Sequence, residues 1–252
     1  MGQVFAQIDE TGVNQLFVKV FNQLAAQPFE ASQPASFQGV SASVSVQGRA
    51  EPVDFAATAT PINLLGSSQS PPVRFADARF KLPTRITATL NVLGWSRSVS
   101  VDVQPEVTLG GGASVSLQTR PEDFVAQLSL QPDTASVSLA GQRDALVAAV
   151  RDSVSRIDTN PHWPGTQSPP QAVIDAAGEA VRMAFDAVRG PAEQAASAVA
   201  TSQLGRLRVN VSLPVPRRLS LPLPDVGTLQ VSLSQPSIVI DAASVKVSAS
   251  FS

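Results

Sequence analysis

The chain has 252 residues, 43% of them hydrophobic, with 18 Lys and Arg against 20 Asp and Glu for a net charge of −2. That is ample apolar material for a core in one large domain or two small ones, and the sparse, balanced charge excludes nucleic-acid binding through a global basic field. There is no cysteine and a single histidine, His162, which excludes disulfides, thiolate metal sites and Cys nucleophiles and argues against zinc. No run of about 18 uninterrupted apolar residues exists, so no transmembrane helix is expected. The start Met1-Gly2-Gln3-Val4-Phe5 lacks a basic segment followed by an apolar one, as expected of a cytoplasmic or processed chain.

The first predicted element is a helix over 9–26, capped by Thr11, with Val13, Leu16, Phe17, Val20, Phe21 and Leu24 on one stripe. Asn14, Gln15, Lys19, Asn22 and Gln23 form its polar side, too poor in Lys and Arg for strong attachment to anionic lipid. Pro28 and Pro34 end the helix, and from Phe37 the period changes to two. Val40, Ala42, Val44 and Val46 alternate with Ser41, Ser43 and Ser45. The alternation returns in Val53-Phe55-Ala57, Ile86 to Val92, Val99 to Val103, Val107-Leu109, Ala113 to Leu117, Leu128-Leu130 and Val137-Leu139. About eight strands over 37–140 thus share one apolar face and one Ser/Thr/Gln/Asn face, the mark of an antiparallel meander with a wet side. Pro61 to Pro72 is expected to be a loop, and Gly110-Gly111-Gly112 a hairpin turn.

A second helix is predicted over 142–157 from Leu146, Val147, Val150, Val154 and Ile157. The Pro-rich connection Asp158 to Pro170 holds His162 beside Trp163, where the histidine is read as solvated or packed on its neighbour. The long helix of the chain is expected over 170–204, with Val173, Ile174, Ala177, Val181, Ala184, Phe185 and Val188 on one face and Asp175, Glu179, Arg182, Asp186 and Arg189 largely opposite. Gly190-Pro191 predicts a kink or break in it. Strand code resumes over 206–252, with Pro222 and Pro224 marking an edge or crossover and the last strand tied into the sheet.

This order gives an α+β domain spanning 1–252: a long, curved, mainly antiparallel sheet whose apolar face wraps a long amphipathic helix, plus a short N-terminal helix. It resembles the tubular lipid-binding (TULIP) superfamily, which includes proteins similar to the bactericidal/permeability-increasing protein, the synaptotagmin-like mitochondrial lipid-binding domains and the takeout proteins. The resemblance covers nearly the whole chain and is one of element order. It implies an apolar tube between helix and sheet, and so binding or transport of a hydrophobic small molecule or lipid without catalysis. The absence of cysteine departs from several secreted members, and the helix over 142–157 has no counterpart in the template.

Phe17, Phe21, Val173, Ala177, Val181, Phe185 and Val188 are the expected apolar lining, with small Ala177 and Ala184 leaving room. The same residues could instead fill a dry core. Arg206 and Arg208, read as sharing a strand face near Arg217 and Arg218, are candidates for an anionic headgroup. No catalytic constellation is evident. No Gly-x-Ser-x-Gly elbow precedes a helix, while Asp9-Glu10 and Glu122-Asp123 read as cap and turn residues. Asn210-Val211-Ser212 matches the glycosylation acceptor pattern inside a predicted strand. No cofactor or metal is expected. The alternative function is a structural or assembly component that docks, on a protein partner or on itself, through its sheet edges.

Overall fold

A computed structural model describes residues 2–92, 94–133, 135–157, 169–223 and 227–251. His162, Trp163 and the connection around them lie outside the described residues. The fold is α+β, with large antiparallel sheets and one long helix. Strand β1 (Gly2–Asp9) leads into α1 (Glu10–Phe21), followed by β2 (Gln27–Phe37), β3 (Val40–Pro52), β4 (Ile62–Leu64), β5 (Val73–Lys81), β6 (Thr84–Val92), β7 (Trp95–Val103), β8 (Glu106–Thr119) and β9 (Asp123–Pro132). A 3-10 turn (Ala140–Gln142), α2 (Arg143–Ser155) and α3 (Gln171–Arg206) come next. The chain then returns to strands β10 (Arg208–Pro216), β11 (Arg218–Leu223), β12 (Gly227–Ser232), β13 (Ser234–Ile240) and β14 (Ser244–Phe251).

The main sheet has the order β10-β9-β8-β5-β3-β6-β7, with β2 pairing β3 and β4 pairing β5. It is two ladders joined at a corner: β3 pairs with β6 through Ser41–Gly48, and its last residues, Glu51 and Pro52, reach Lys81 and Phe80 of β5. Adjacent strands form hairpins at β6–β7 and β8–β9, but the insertion of β5 between β3 and β8 breaks the simple meander expected from the sequence. A separate sheet, β1-β14-β13, ties the last strand to the first, and β11–β12 is an isolated hairpin. The hairpin location agrees with Pro222 marking an edge.

The period-two patterns hold where strands are covered on one side. Val40, Ala42, Val44 and Val46 of β3 and Ile86, Ala88, Leu90 and Val92 of β6 are buried, while Ser41, Ser43 and Arg85 face out. On the wet face Thr87 meets Ser100 at 2.9 Å and Thr89 meets Ser98 at 3.0 Å, cross-strand hydroxyl pairs that follow from the register.

Several expectations are corrected. Pro28 and Pro34 do not follow a helix into a loop; they lie in β2, which pairs only β3. Residues of one parity in an edge strand turn their backbone away from the ladder, so a proline there removes no ladder bond. Gly110-Gly111-Gly112 runs through the middle of β8 and is no turn. The glycines serve close approach: a Cβ on Gly111 would stand 2.4 Å from the Gln131 carbonyl oxygen, and one on Gly112 would stand 2.8 Å from the Pro71 ring. Ile62–Leu64 is strand inside the expected loop, whereas Val53 to Ala56 and Val137-Leu139 belong to no strand. Pro191 does not break α3, which continues for 36 residues, about 54 Å. Pro191 is exposed, and the fully buried Val188 and Ala192 anchor the helix on both sides of it.

Helix α1 is capped by Asp9, whose carboxylate accepts from the Gly12 N–H at 2.8 Å; Thr11 does not cap it. The expected polar face is also revised, because Asn14 is only 2% exposed. Its Nδ2 donates to the Ile62 carbonyl at 3.0 Å and its Oδ1 accepts from the Ile62 N–H at 2.7 Å. Asn22, two turns on, clasps Phe55 in the same way at 2.9 Å both ways, and Glu10 accepts from the Leu64 N–H at 3.0 Å. Side chains of α1 therefore do for residues 55–64 what a neighbouring strand would do. Asn14→Ala should orphan both backbone groups of Ile62 and destabilise the chain by about 2–3 kcal/mol in denaturant titration with an unchanged m-value.

At the β13–β14 turn the Asp241 carboxylate accepts from the Ala243 N–H at 2.9 Å and the Ser244 N–H at 2.6 Å. These bonds, that of Ala243 first, hold its pKa below the ordinary value for Asp. The folded form binds its proton more weakly than the unfolded chain, so this contribution is present above the unfolded-state pKa and is lost as pH falls through the lower folded one. Asp241→Asn should shallow the acid limb of the stability–pH curve below the ordinary Asp range and leave neutral-pH behaviour of the rest of the fold intact. NMR titration of the carboxyl resonance provides the direct check.

Candidate ligand-binding site

Helix α3 packs mainly against β2 and β3, with further contact to β9, β6 and α2. Its first half presents a broad buried face: Ile174, Ala176, Ala177, Gly178, Ala180, Val181, Ala184, Phe185 and Val188. Beyond Pro191 the buried face narrows to Ala192, Ala196, Ala200, Gln203 and Leu204. The small alanines let the helix axis lie close to the sheet. Because so little of its circumference is covered, both flanks of this half stay open.

Two adjoining depressions follow those flanks. On one side a groove of about 670 Å³ runs between Gly190, Glu193, Ser197, Ala198 and Thr201 of α3 and a wall made by Pro132, Ala135, Ser136 and Val137. Its surface is mainly apolar. This wall is held by burial of Ala135, Val137 and Leu139 and by Glu193, which accepts the Leu139 N–H at 2.8 Å. This explains the alternation that reads as a strand in the sequence: one side of the segment faces α3, and a carboxylate takes the place of a ladder partner. On the other side lies a hollow of about 430 Å³ between Leu24, Ala25 and Gln27, after α1, and Val199, Ser202, Gln203 and Arg206 of α3. The two meet at Ala198 and Ser202, which border both.

The residues selected from the sequence as an apolar lining lie elsewhere. Phe17, Phe21, Ala177, Val181, Phe185 and Val188 have no free surface, and Val173 is half-buried at the edge of the same core. Phe21 packs edge-on to Phe55 and Phe80 with ring centroids 4.9 and 5.8 Å apart, and Phe17 stacks on Phe21 at 5.8 Å. Helix α1 packs against β1, β4 and β10, whereas α3 packs against the β2–β3 side.

Arg206 and Arg208 do not share a strand face. Arg206 is the last residue of α3 and Arg208 the first of β10, and both are exposed. Arg208 donates to the carbonyls of Gly205 at 2.6 Å and Leu207 at 3.2 Å, closing the negative end of the helix. Arg206 borders the hollow, and no hydrogen bond or ion pair engages it among the described residues. Arg217 lies over the Phe124 ring at 5.9 Å, away from both.

Two groove residues, Ala198 and Thr201, and one in the hollow, Gln203, were invisible as site residues because α3 reads there as an Ala/Ser-rich run with no apolar stripe to assign. Among the described residues no group of three or more His, Asp or Glu could hold a metal ion, and no helix is long and apolar enough to cross a membrane.

A scan against protein-family models found no match, and a search of curated proteins found none. Among solved structures the chain is similar to a crystal structure of lipopolysaccharide binding protein, with a TM-score of 0.35 and 10% sequence identity, over 99% of this chain and 50% of that one. This chain thus spans about half the length of that structure. The likeness is confined to the coarse arrangement of strands and helices.

The packing makes opposite demands on neighbouring alanines. Ala196→Leu, at 1% exposure, should cost about 1–3 kcal/mol by overpacking against the sheet. The same change at exposed Ala198 should stay within about 0.5 kcal/mol. Paired thermal or chemical unfolding curves read the difference.

Proposed function

We propose that this protein binds a hydrophobic ligand, a lipid, fatty acid or sterol, and carries it without chemical change. The observation that supports this is the mainly apolar groove beside the C-terminal half of α3, whose volume of about 670 Å³ lies within the range typical of small-molecule sites. An acyl chain gains ~0.8 kcal/mol per buried CH₂, so a groove that covers even part of one supplies binding energy with no polar machinery. Small side chains along the helix flank leave the room, and Val137 and Ala135 give the opposite wall its apolar surface.

In this arrangement the lining expected from the sequence, Phe17, Phe21, Val173, Ala177, Val181, Phe185 and Val188, has a different task. It is packed core, with Phe17 and Phe21 seating α1 and the five α3 residues belonging to that helix's buried half, and a ligand between helix and sheet would require α3 to lift from β2 and β3. The groove needs no such movement.

Native mass spectrometry followed by organic extraction should find an apolar passenger, and a fluorescent fatty acid should bind the purified protein. The double variant Ala198→Leu/Thr201→Leu, which fills the groove from the helix side, should weaken that binding at least 10-fold with little change in Tm. Unchanged binding in the double variant together with loss in Val181→Phe would place the ligand between helix and sheet. A ligand-free oligomer that takes up no fatty acid would overturn lipid binding in favour of an assembly role.

A further inference from the structure

The hollow between Leu24–Gln27 and the end of α3 carries a polar feature that the groove lacks. Gln203 is only 7% exposed. Its Nε2 donates to the Ala50 carbonyl at 3.3 Å, which fixes the orientation of the amide, since the reversed amide would set two oxygens against each other. Its Oε1 is buried with no partner among the described residues. A buried acceptor left unpaired is a standing cost that a matching donor removes. Gln203 lines the hollow, and because Oε1 itself has no free surface, a donor there reaches it when the side chain turns outward as the ligand enters.

Arg206 borders the same hollow and has its guanidinium uncommitted among the described residues. The end of a helix is ordinarily a poor place for an anion, because the last carbonyls carry partial negative charge. Here the Arg208 guanidinium already occupies the carbonyls of Gly205 and Leu207, leaving the Arg206 charge available. Among the described residues no acidic side chain borders the hollow. Leu24, Ala25 and Val199 supply apolar surface beside these two polar groups, and Ala198 and Ser202 connect the hollow to the groove.

We infer that the hollow is the seat of a polar head in which a hydroxyl stands next to a negative charge: the hydroxyl donates to Gln203 Oε1, the anion pairs with Arg206, and the hydrocarbon crosses Ala198 into the groove. This rests on the apolar-ligand reading and names the ligand class for it, an anionic hydroxylated amphiphile.

The test uses the full chain and four probes at fixed ionic strength: 1-myristoyl glycerol 3-phosphate, myristate, tetradecanol and glycerol 3-phosphate. The wild-type chain should bind the first at least 10-fold more tightly than myristate. Arg206→Gln, a change at an exposed position, should cut affinity for the phosphate amphiphile about 10-fold and leave tetradecanol binding unchanged. Gln203→Met, similar in size and without an acceptor, should erase the preference over myristate. Equal binding of 1-myristoyl glycerol 3-phosphate by the wild type and Arg206→Gln would overturn the proposed head site while tetradecanol binding keeps the groove intact, and this holds even if Gln203→Met fails to fold. Binding of glycerol 3-phosphate as tight as that of its acylated form would overturn the amphiphile in favour of a free phosphate compound. Failure of every acylated or alkyl probe would overturn the apolar-ligand reading itself.

Discussion

The arrangement depends on how closely a helix can sit on a sheet. Ala180, Ala184, Val188, Ala192, Ala196, Ala200 and Leu204 recur every four residues along α3, and all are buried. Four residues overshoot one helical turn by roughly 40°, so a line drawn through them winds slowly around the helix. A flat surface could touch such a line at one point only. A twisted sheet can follow it, and β2, β3 and β9 meet α3 in turn. Small side chains keep the separation short, and the winding sets which flank of the helix is left open at each level.

That geometry divides α3 into two halves with different tasks. Before Pro191, α2 covers part of the helix that the sheet does not, and residues from Ile174 to Val188 are enclosed broadly. After Pro191 the contact is carried by Ala192, Ala196, Ala200, Gln203 and Leu204. The uncovered flanks become the groove and the hollow. The polar anchors follow the same division: Glu193 and Gln203 sit on the second half, where each reaches a backbone group of a neighbouring segment, Leu139 and Ala50.

Much of this was legible in the sequence. The Val/Ser alternation of β3 and the Ile86–Val92 pattern gave correct faces, and Val173 to Val188 gave the correct buried side of α3, because in each case one clear period separated covered from uncovered residues. The misreadings have physical causes. Asn14 and Asn22 look like solvent residues on a helical wheel, since nothing in one sequence shows that a strand-like segment 48 residues from Asn14 will need its backbone paired. Pro28 and Pro34 look like breakers because the edge position that tolerates them is a property of the sheet. Gly110 to Gly112 look like a turn, although their lack of side chains answers the approach of Gln131 and Pro71. The second half of α3 carries the groove, and its Ala/Ser composition hides a contact face that larger residues would have announced. Volume in the sequence pattern marks where a protein is filled, so the places left open are the hardest to read.

The ladder between β1 and β14 has a temporal consequence. Gly2 pairs with Phe251 and Asp9 with Ser244, so β1 finds this partner only after every strand between them has been made. Until then Ile8 and Val4 lack their cross-strand partners Val245 and Ala249, while α1, which follows directly, can already clasp Ile62 and Phe55. The contact of greatest sequence separation is therefore made last, and the loop-closure entropy it carries is met by a body already assembled. In such a fold β1 and β14 act as a seal: synthesis proceeds with the seam open, and the arrival of β14 closes it.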